Sequence, residues 1–318
     1  MTPTASRAPD RIALAGVAAA LALLPLALGG SDHYLRIATL MLITMAYAVA
    51  FNIIFGHTRQ LFLCLGALAG SSGYVAVVLV IKLSLSAWVS IPIGVVVAAL
   101  LGGVFSYVSV RRGLGVIFVG IVTLVFSMIF HNLVLGLREW TNGETGLETR
   151  GLGPEMLSGG LTSYYAILAF LMLSLVVYHL LLRSRAGIAF RAIADDEFAA
   201  ELAGINVTAY KVLAATLGSA LLGAVGAIHA FYGGFISPTV YSLASVDIVA
   251  LVTLLLGGMG TLLGPVLGGL VFTVMDEAVR PLGRLNVMVY GILIIVLVVT
   301  FRHGLVAMLR KRLKLPLP

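Results

Sequence analysis

The stretch RSRAGIAFRAIADDEFAAELAGINVTAYK, running from Arg183 to Lys211, is a charged, helix-forming island in a chain that is otherwise mostly hydrocarbon. Apolar runs flank it on both sides. A loop of this composition between two such runs must sit in water at one side of a membrane. Ile188, Phe190 and Ile193, with Arg191 among them, predict a short amphipathic helix over 186–194. Asp195 and Asp196 are N-cap candidates, because a carboxylate accepts from free amide groups in the first turn of a helix. Glu197 and Glu201 follow in a second helix, predicted over 197–203. Gly204 stands where the chain must turn left-handed. Phe198, Leu202 and Ile205 are spaced four and three residues apart and share one face. Two short helices with an apolar ridge, lying along the membrane surface, are expected.

Composition bounds the remainder. The 318 residues are 60% hydrophobic and 10% charged, with a mean hydropathy of +1.10, which predicts an integral membrane protein. In lipid only helices or a closed barrel satisfy the backbone. The apolar runs are continuous rather than alternating, so the expected fold is all-α. The single cysteine, Cys64, excludes an internal disulfide and a cysteine metal cluster, and no metal site is expected. The net charge of +7 does not point to nucleic acid, because the basic residues cluster at the ends of apolar runs.

Spans of about 20 residues are needed. Ten candidates read out at 12–29, 35–55, 61–82, 87–109, 115–135, 163–182, 211–232, 246–258, 260–278 and 286–302, giving a polytopic helical bundle. The first follows Arg7 and Arg11 and is read as a span rather than a cleaved leader. With the N-terminus inside, 14 of the 20 Lys and Arg fall on the cytoplasmic side, five of them in the tail from Arg302 to Lys314. That bias predicts both termini in the cytoplasm and the island at 183–210 with them, and puts the 136–162 loop outside.

Two places break the helical pattern. At Asn52 to Gly73 a span ends in Gly56-His-Thr-Arg-Gln60 and the next begins almost at once. At Leu256 to Pro265, with Gly257, Gly258, Gly260 and Gly264, the preceding run is too short to cross a hydrocarbon core. Broken or shortened helices are expected at both, meeting within the bundle. Broken helices in corresponding halves point to a transport site, and close packing through small residues explains the individual glycines equally well. By span count alone, 12–135 and 163–302 form two halves. Polar groups inside spans are functional suspects: Asn52, Thr123, His131, Asn132, His179, His229 and Asp247. Asp247 is expected to be a solvated first-turn residue, His179 to reach the interface, and His131 and Asn132 to face an outer vestibule. A structural hydrogen bond is the competing explanation for each.

No zinc helix, no paired intramembrane carboxylates and no phosphate loop are present in the sequence, so the chain is not expected to hydrolyse ATP. The glycine-rich segment 143–153 carries Glu144 and Glu148, the wrong charge for a phosphate cradle. It suits a docking surface or a solvated loop.

The run from Glu197 through Ala199, Ala200 and Glu201 to Gly204 resembles the EAA coupling loop of ABC-importer permeases. With Arg191, Asp195, Asp196 and Lys211 around it, the wider segment resembles the LivM-type permeases of the branched-chain amino acid family. Gly257-Gly-Met-Gly260-Thr-Leu-Leu-Gly264-Pro265-Val-Leu-Gly268 is similar to a second motif of that family. Gly56, Gln60, Leu61 and Leu63 match a third, from which Arg59, Phe62 and Cys64 depart. Thr141 to Gly146 and Phe301 to Leu305 resemble two more, with Asn142 and His303 as departures.

The resemblance implies a bacterial inner-membrane permease subunit of an ATP-binding cassette importer for branched-chain amino acids or a related small polar solute. It implies a homologous LivH-type permease, two cytosolic ATPases holding ATP-Mg, and a periplasmic solute-binding protein as partners, with no cofactor on this chain. It assigns coupling to Arg191, Asp195, Asp196, Glu197, Ala199, Ala200, Glu201 and Gly204. The expected translocation path is Asn52, Gly56, Gln60, Thr123, His131, Gly257, Gly258 and Gly260. A stand-alone secondary transporter or channel is the alternative. The lack of an evident mid-span acid argues against it.

Overall fold

The computed structural model describes residues 7–27 and 31–280, with positions 291 and 305. The candidate span 286–302, the basic tail and the 301–305 motif lie outside the described residues. Among the described residues, six helices are long and apolar enough to cross a membrane: α2 Asp32–Phe51, prolonged by a π turn to Gly56, α3 Leu65–Leu83, α4 Ala87–Arg111, α5 Val116–Gly136, α7 Gly160–Arg183 and α10 Val207–Gly233. Of the other described candidates, α1 spans Arg7–Ala27, with an apolar stretch over Ala15–Leu26. The remaining two are short helices, α11 Ile248–Gly257 of 10 residues and α12 Gly264–Val279 of 16. Three short helices lie in the connections, α6 Arg138–Thr141, α8 Arg185–Asp195 and α9 Glu197–Leu202.

Helix α10 forms the axis and packs along α4 and α3. Small residues let these backbones approach: a Cβ on Gly102 would collide with the Ser219 side chain, and one on Gly94 with Ser72. Helix α2 is covered on its other sides by α7, α12 and α11, and most of its length is buried. Helices α4 and α5, by contrast, show apolar side chains such as Leu100, Ile117 and Met128 to the surroundings, as lipid-facing helices do.

The helix ends define two ends of the bundle. The 137–159 loop and the α8–α9 connection lie at opposite ends of α7. At the 137–159 end, β1 Leu147–Glu148 pairs antiparallel with β2 Phe235–Ile236, tying that loop to the exit of α10. His33 Nε2 also lies 3.7 Å from Glu277 Oε1, so α2 begins where α12 finishes.

Candidate functional site

Helices α8 and α9 form an elbow whose geometry is set locally. Asp196 takes the N-cap, its side chain accepting from Ala199 N at 3.0 Å. Ala203 ends α9, and Gly204 turns left-handed at φ +83°, a conformation in which a Cβ is strained. Asn206 then caps α10 by accepting from Ala209 N. Arg191, Asp195, Asp196, Glu197, Ala199, Glu201 and Gly204 are exposed, whereas Ala200 is buried against Ile193 and Val207.

The apolar residues of α8 do not share one face. Phe190 and Ile193 are buried while Ile188 is 61% exposed. Ile188 lies two positions before Phe190, a step that on a helix carries a side chain to the far side. Of the face predicted from Phe198, Leu202 and Ile205, the first two are 70% and 74% exposed, but Ile205 packs inward with Ile193 and Ala200; the exposed apolar residues of the elbow are Ile188, Phe198 and Leu202.

The buried root of the elbow reaches the first break. The Phe190 ring stacks on His57 with centroids 6.4 Å apart and meets Tyr210 of α10 edge-on. His57 Nε2 lies 2.5 Å from Tyr178 Oη. Asn52 Nδ2 donates to the same phenol at 2.9 Å and to the carbonyl of Thr261 at 2.9 Å. Asn52 Oδ1 accepts from Gly260 N at 2.8 Å. A continuous chain thus runs from α8 through α7 and α2 to the loop between α11 and α12. The two breaks expected from the sequence touch here, because Gly56 sits beside Asn52 and Gly260, with no room for a Cβ.

A second route leaves the elbow through charge. Lys211 Nζ pairs with Glu197 Oε2 at 2.6 Å, and the Lys211 carbonyl accepts from Gln60 Nε2 at 3.0 Å. Gln60 Oε1 accepts from Ser106 Oγ of α4 at 2.6 Å. Beyond Gln60 the chain has no regular structure up to α3, and Thr123 of α5 holds it by accepting from Leu63 N at 2.9 Å. Gln60 and Thr123 therefore position the link between α2 and α3.

Asp247 is not solvated, as the sequence position led us to expect. It is 1% exposed and does not cap its own helix. It accepts from Leu65 N at 2.6 Å and Gly66 N at 3.1 Å, the first amides of α3. The starts of α3 and α11 meet, and a carboxylate satisfies donors that a helix start leaves free. A buried acid does exist in the bundle, contrary to the expectation from the spans.

The other polar candidates lie apart from this junction. Gly257 and Gly258 form the turn out of α11, Gly258 with φ +116°. Asn132 donates to Met128 O of its own helix. It shares with His131 a cavity of about 220 Å³ bordered by Tyr241 and Pro238. His229 Nδ1 lies 3.3 Å from Tyr47 Oη. His57 and Tyr178 were not singled out by the sequence; polar groups flanked by long apolar runs were the available signal. Among the described residues, no group of three or more His, Cys, Asp or Glu side chains gathers as a metal site.

A bundle of long apolar helices, with two interrupted helices meeting inside it and a polar elbow at one end, is consistent with an all-α membrane permease. The family model described as "Branched-chain amino acid transport system / permease component" matches residues 33–298, and the chain belongs to that family. It is 28% identical over 306 aligned positions to the high-affinity branched-chain amino acid transport system permease protein LivM of Salmonella typhimurium, covering 88% of this chain and 71% of that one. The permease protein BraD of Pseudomonas aeruginosa is 33% identical over 46% of this chain and 48% of its own length. LivH of Salmonella typhimurium is 31% identical over 46% and 48% respectively. No solved structure matches the chain.

Proposed function

We propose that this chain is the LivM-type pore subunit of an ATP-binding cassette importer that carries branched-chain amino acids or a related small polar solute. In this reading it pairs with a LivH-type permease, two cytosolic ATPases that hold ATP-Mg, and a periplasmic solute-binding protein. The segment 183–210 is the cytoplasmic coupling loop, the 136–162 loop is periplasmic, and both termini are cytoplasmic. About ten membrane crossings belong to this reading.

One observation carries the coupling role. An exposed apolar ridge, Ile188, Phe198 and Leu202, stands on an elbow whose buried Phe190 contacts the hydrogen-bond chain ending at Gly260. Closure of an ATPase dimer would move the elbow as a rigid lever. Phe190, wedged between His57 and Tyr210, would carry that motion to α2, α7 and α10, and through Asn52 to the second break. Two packed arrangements of such a junction give outward and inward openings.

Co-expression with candidate ATPases tests the reading. Co-purification and ATP-dependent uptake into vesicles are expected. Uptake by the chain alone, without ATP, would favour a secondary transporter. The buried Asp247 is the observation on that side, but both its oxygens are already occupied by α3 amides.

A further inference from the structure

We infer that the cavity at the 137–159 end of the bundle receives a small solute through its carboxylate, held between Arg36 and Arg150. Naming that solute an aliphatic amino acid rests on the proposed importer function. The cavity has a volume of about 740 Å³, within the range of small-molecule sites, about 300–1,000 Å³. The first turns of α2, the 150–160 segment and the Gly233–Gly234 turn closing α10 form its walls.

Its charges are the informative part. Asp32 and Arg36 stand one turn apart on α2 and face the same space. Arg150 enters from the loop beside Gly234, where a Cβ would lie 3.9 Å from the Arg150 Nε atom. Among the described residues, the ion pairs are His33–Glu277, Lys211–Glu197 and Arg280–Glu277, so neither cavity arginine is neutralised by a carboxylate within 4.0 Å. Arg36, Arg150 and Asp32 are exposed side chains lining the recess; the two guanidinium groups add positive potential there, and their planar forks match a carboxylate. Asp32 supplies a place for an ammonium group. Leu35, Leu40 and Val240 give the same cavity an aliphatic wall. His229 lines it too, with Nδ1 3.3 Å from Tyr47 Oη. Two cations, one anion and an aliphatic wall describe the complement of a zwitterion with a branched hydrocarbon side chain. An acidic protein surface would satisfy the arginines alone, but it would leave the recess, its wall and Asp32 without purpose.

The test measures ligand binding to the purified full chain in phosphatidylcholine nanodiscs, so it reads the cavity whether or not an ATPase associates. L-leucine and isovalerate should bind saturably in the millimolar range, and leucinol, which lacks the carboxylate, should not. Arg36→Gln and Arg150→Gln should each weaken both ligands about tenfold. Asp32→Asn should weaken leucine and leave isovalerate unchanged. Absence of carboxylate binding, equal binding of leucinol, or indifference to both arginine variants would overturn the site. Retained leucine binding in arginine variants that no longer dock the binding protein would assign the arginines to a protein interface instead, and would also overturn it. Failure of the importer function shows separately, as loss of ATP-dependent uptake with binding to the isolated chain intact.

Discussion

The α8–α9 elbow and the junction of the two broken helices are built on different length scales. At the elbow the shaping contacts span three residues, from Asp196 to Ala199 and from Asn206 to Ala209. At the junction they span 126 residues from Asn52 to Tyr178, 209 to Thr261 and 182 between Leu65 and Asp247. The elbow is exposed, so water can replace a lost contact. The junction is buried, and an unpaired backbone group there has no substitute partner. Mutations should therefore separate the two regions, large losses of stability at the junction and small ones at the elbow.

Asp247 offers the hardest test. Asp247→Ala strands the amides of both Leu65 and Gly66. Each buried donor left unsatisfied costs about 1–3 kcal/mol, so about 2–6 kcal/mol is expected for the pair. Asp247→Asn keeps one acceptor and should lose roughly half as much. Unfolding in mixed micelles followed by circular dichroism measures both. A wild-type unfolding midpoint for the alanine variant would mean that the α3 start finds other partners, and the contrast with the elbow would fail.

Asn52→Leu comes next. The change keeps the approximate size of the side chain and removes three hydrogen bonds, leaving the Gly260 amide as the main orphan. A loss of about 1–3 kcal/mol is expected in the same assay. Because Asn52 also links Tyr178 to the α11–α12 loop, transport should fall more than stability does. Equal loss of both would make Asn52 a packing residue only.

These length scales also explain what was legible in the sequence. The N-cap at Asp196, the left-handed Gly204 and the two elbow helices follow from neighbouring residues, and local rules suffice for them. The interruptions at Asn52 to Gly73 and at Leu256 to Pro265 were legible because glycine clusters and a ten-residue helix are chain-local facts. The partners across the breaks were not. Nothing near Asp247 shows that its carboxylate serves the first amides of α3, and its position at a helix start suggested solvation instead. Tyr178 and His57 were hidden for the same reason, since their value lies in contact with Asn52 and Phe190. Ile205 misled through spacing: it was expected on one face with Phe198 and Leu202, which are exposed, but after the turn at Gly204 it packs inward with Ile193 and Ala200.

Asp196→Ala sharpens the comparison from the elbow side. Loss of an N-cap costs about 1 kcal/mol, below the junction variants. The effect should be local, visible as faster hydrogen exchange over 197–202 with little change in the unfolding midpoint. Slowed or unchanged exchange there would show that α9 is held by its burial at Ala200 rather than by its cap.

Glu197→Arg should change stability least. Glu197 is 52% exposed and its partner Lys211 is 12% exposed, and a pair with one solvated member contributes about 0–1 kcal/mol. Reversal adds repulsion with Lys211 of similar size, so the protein should still insert and unfold near the wild-type midpoint. Coupling should respond differently. A charge turned against a partner groove costs several kcal/mol when the contact is buried, and the Glu197–Lys211 pair adjoins Gln60 at the link between α2 and α3. ATP hydrolysis by the assembled complex should persist while uptake falls sharply, and Glu197→Gln, which removes charge without reversing it, should fall between. Normal uptake by the arginine variant would remove the elbow from the transport cycle and leave the junction as a structural knot with no lever acting on it.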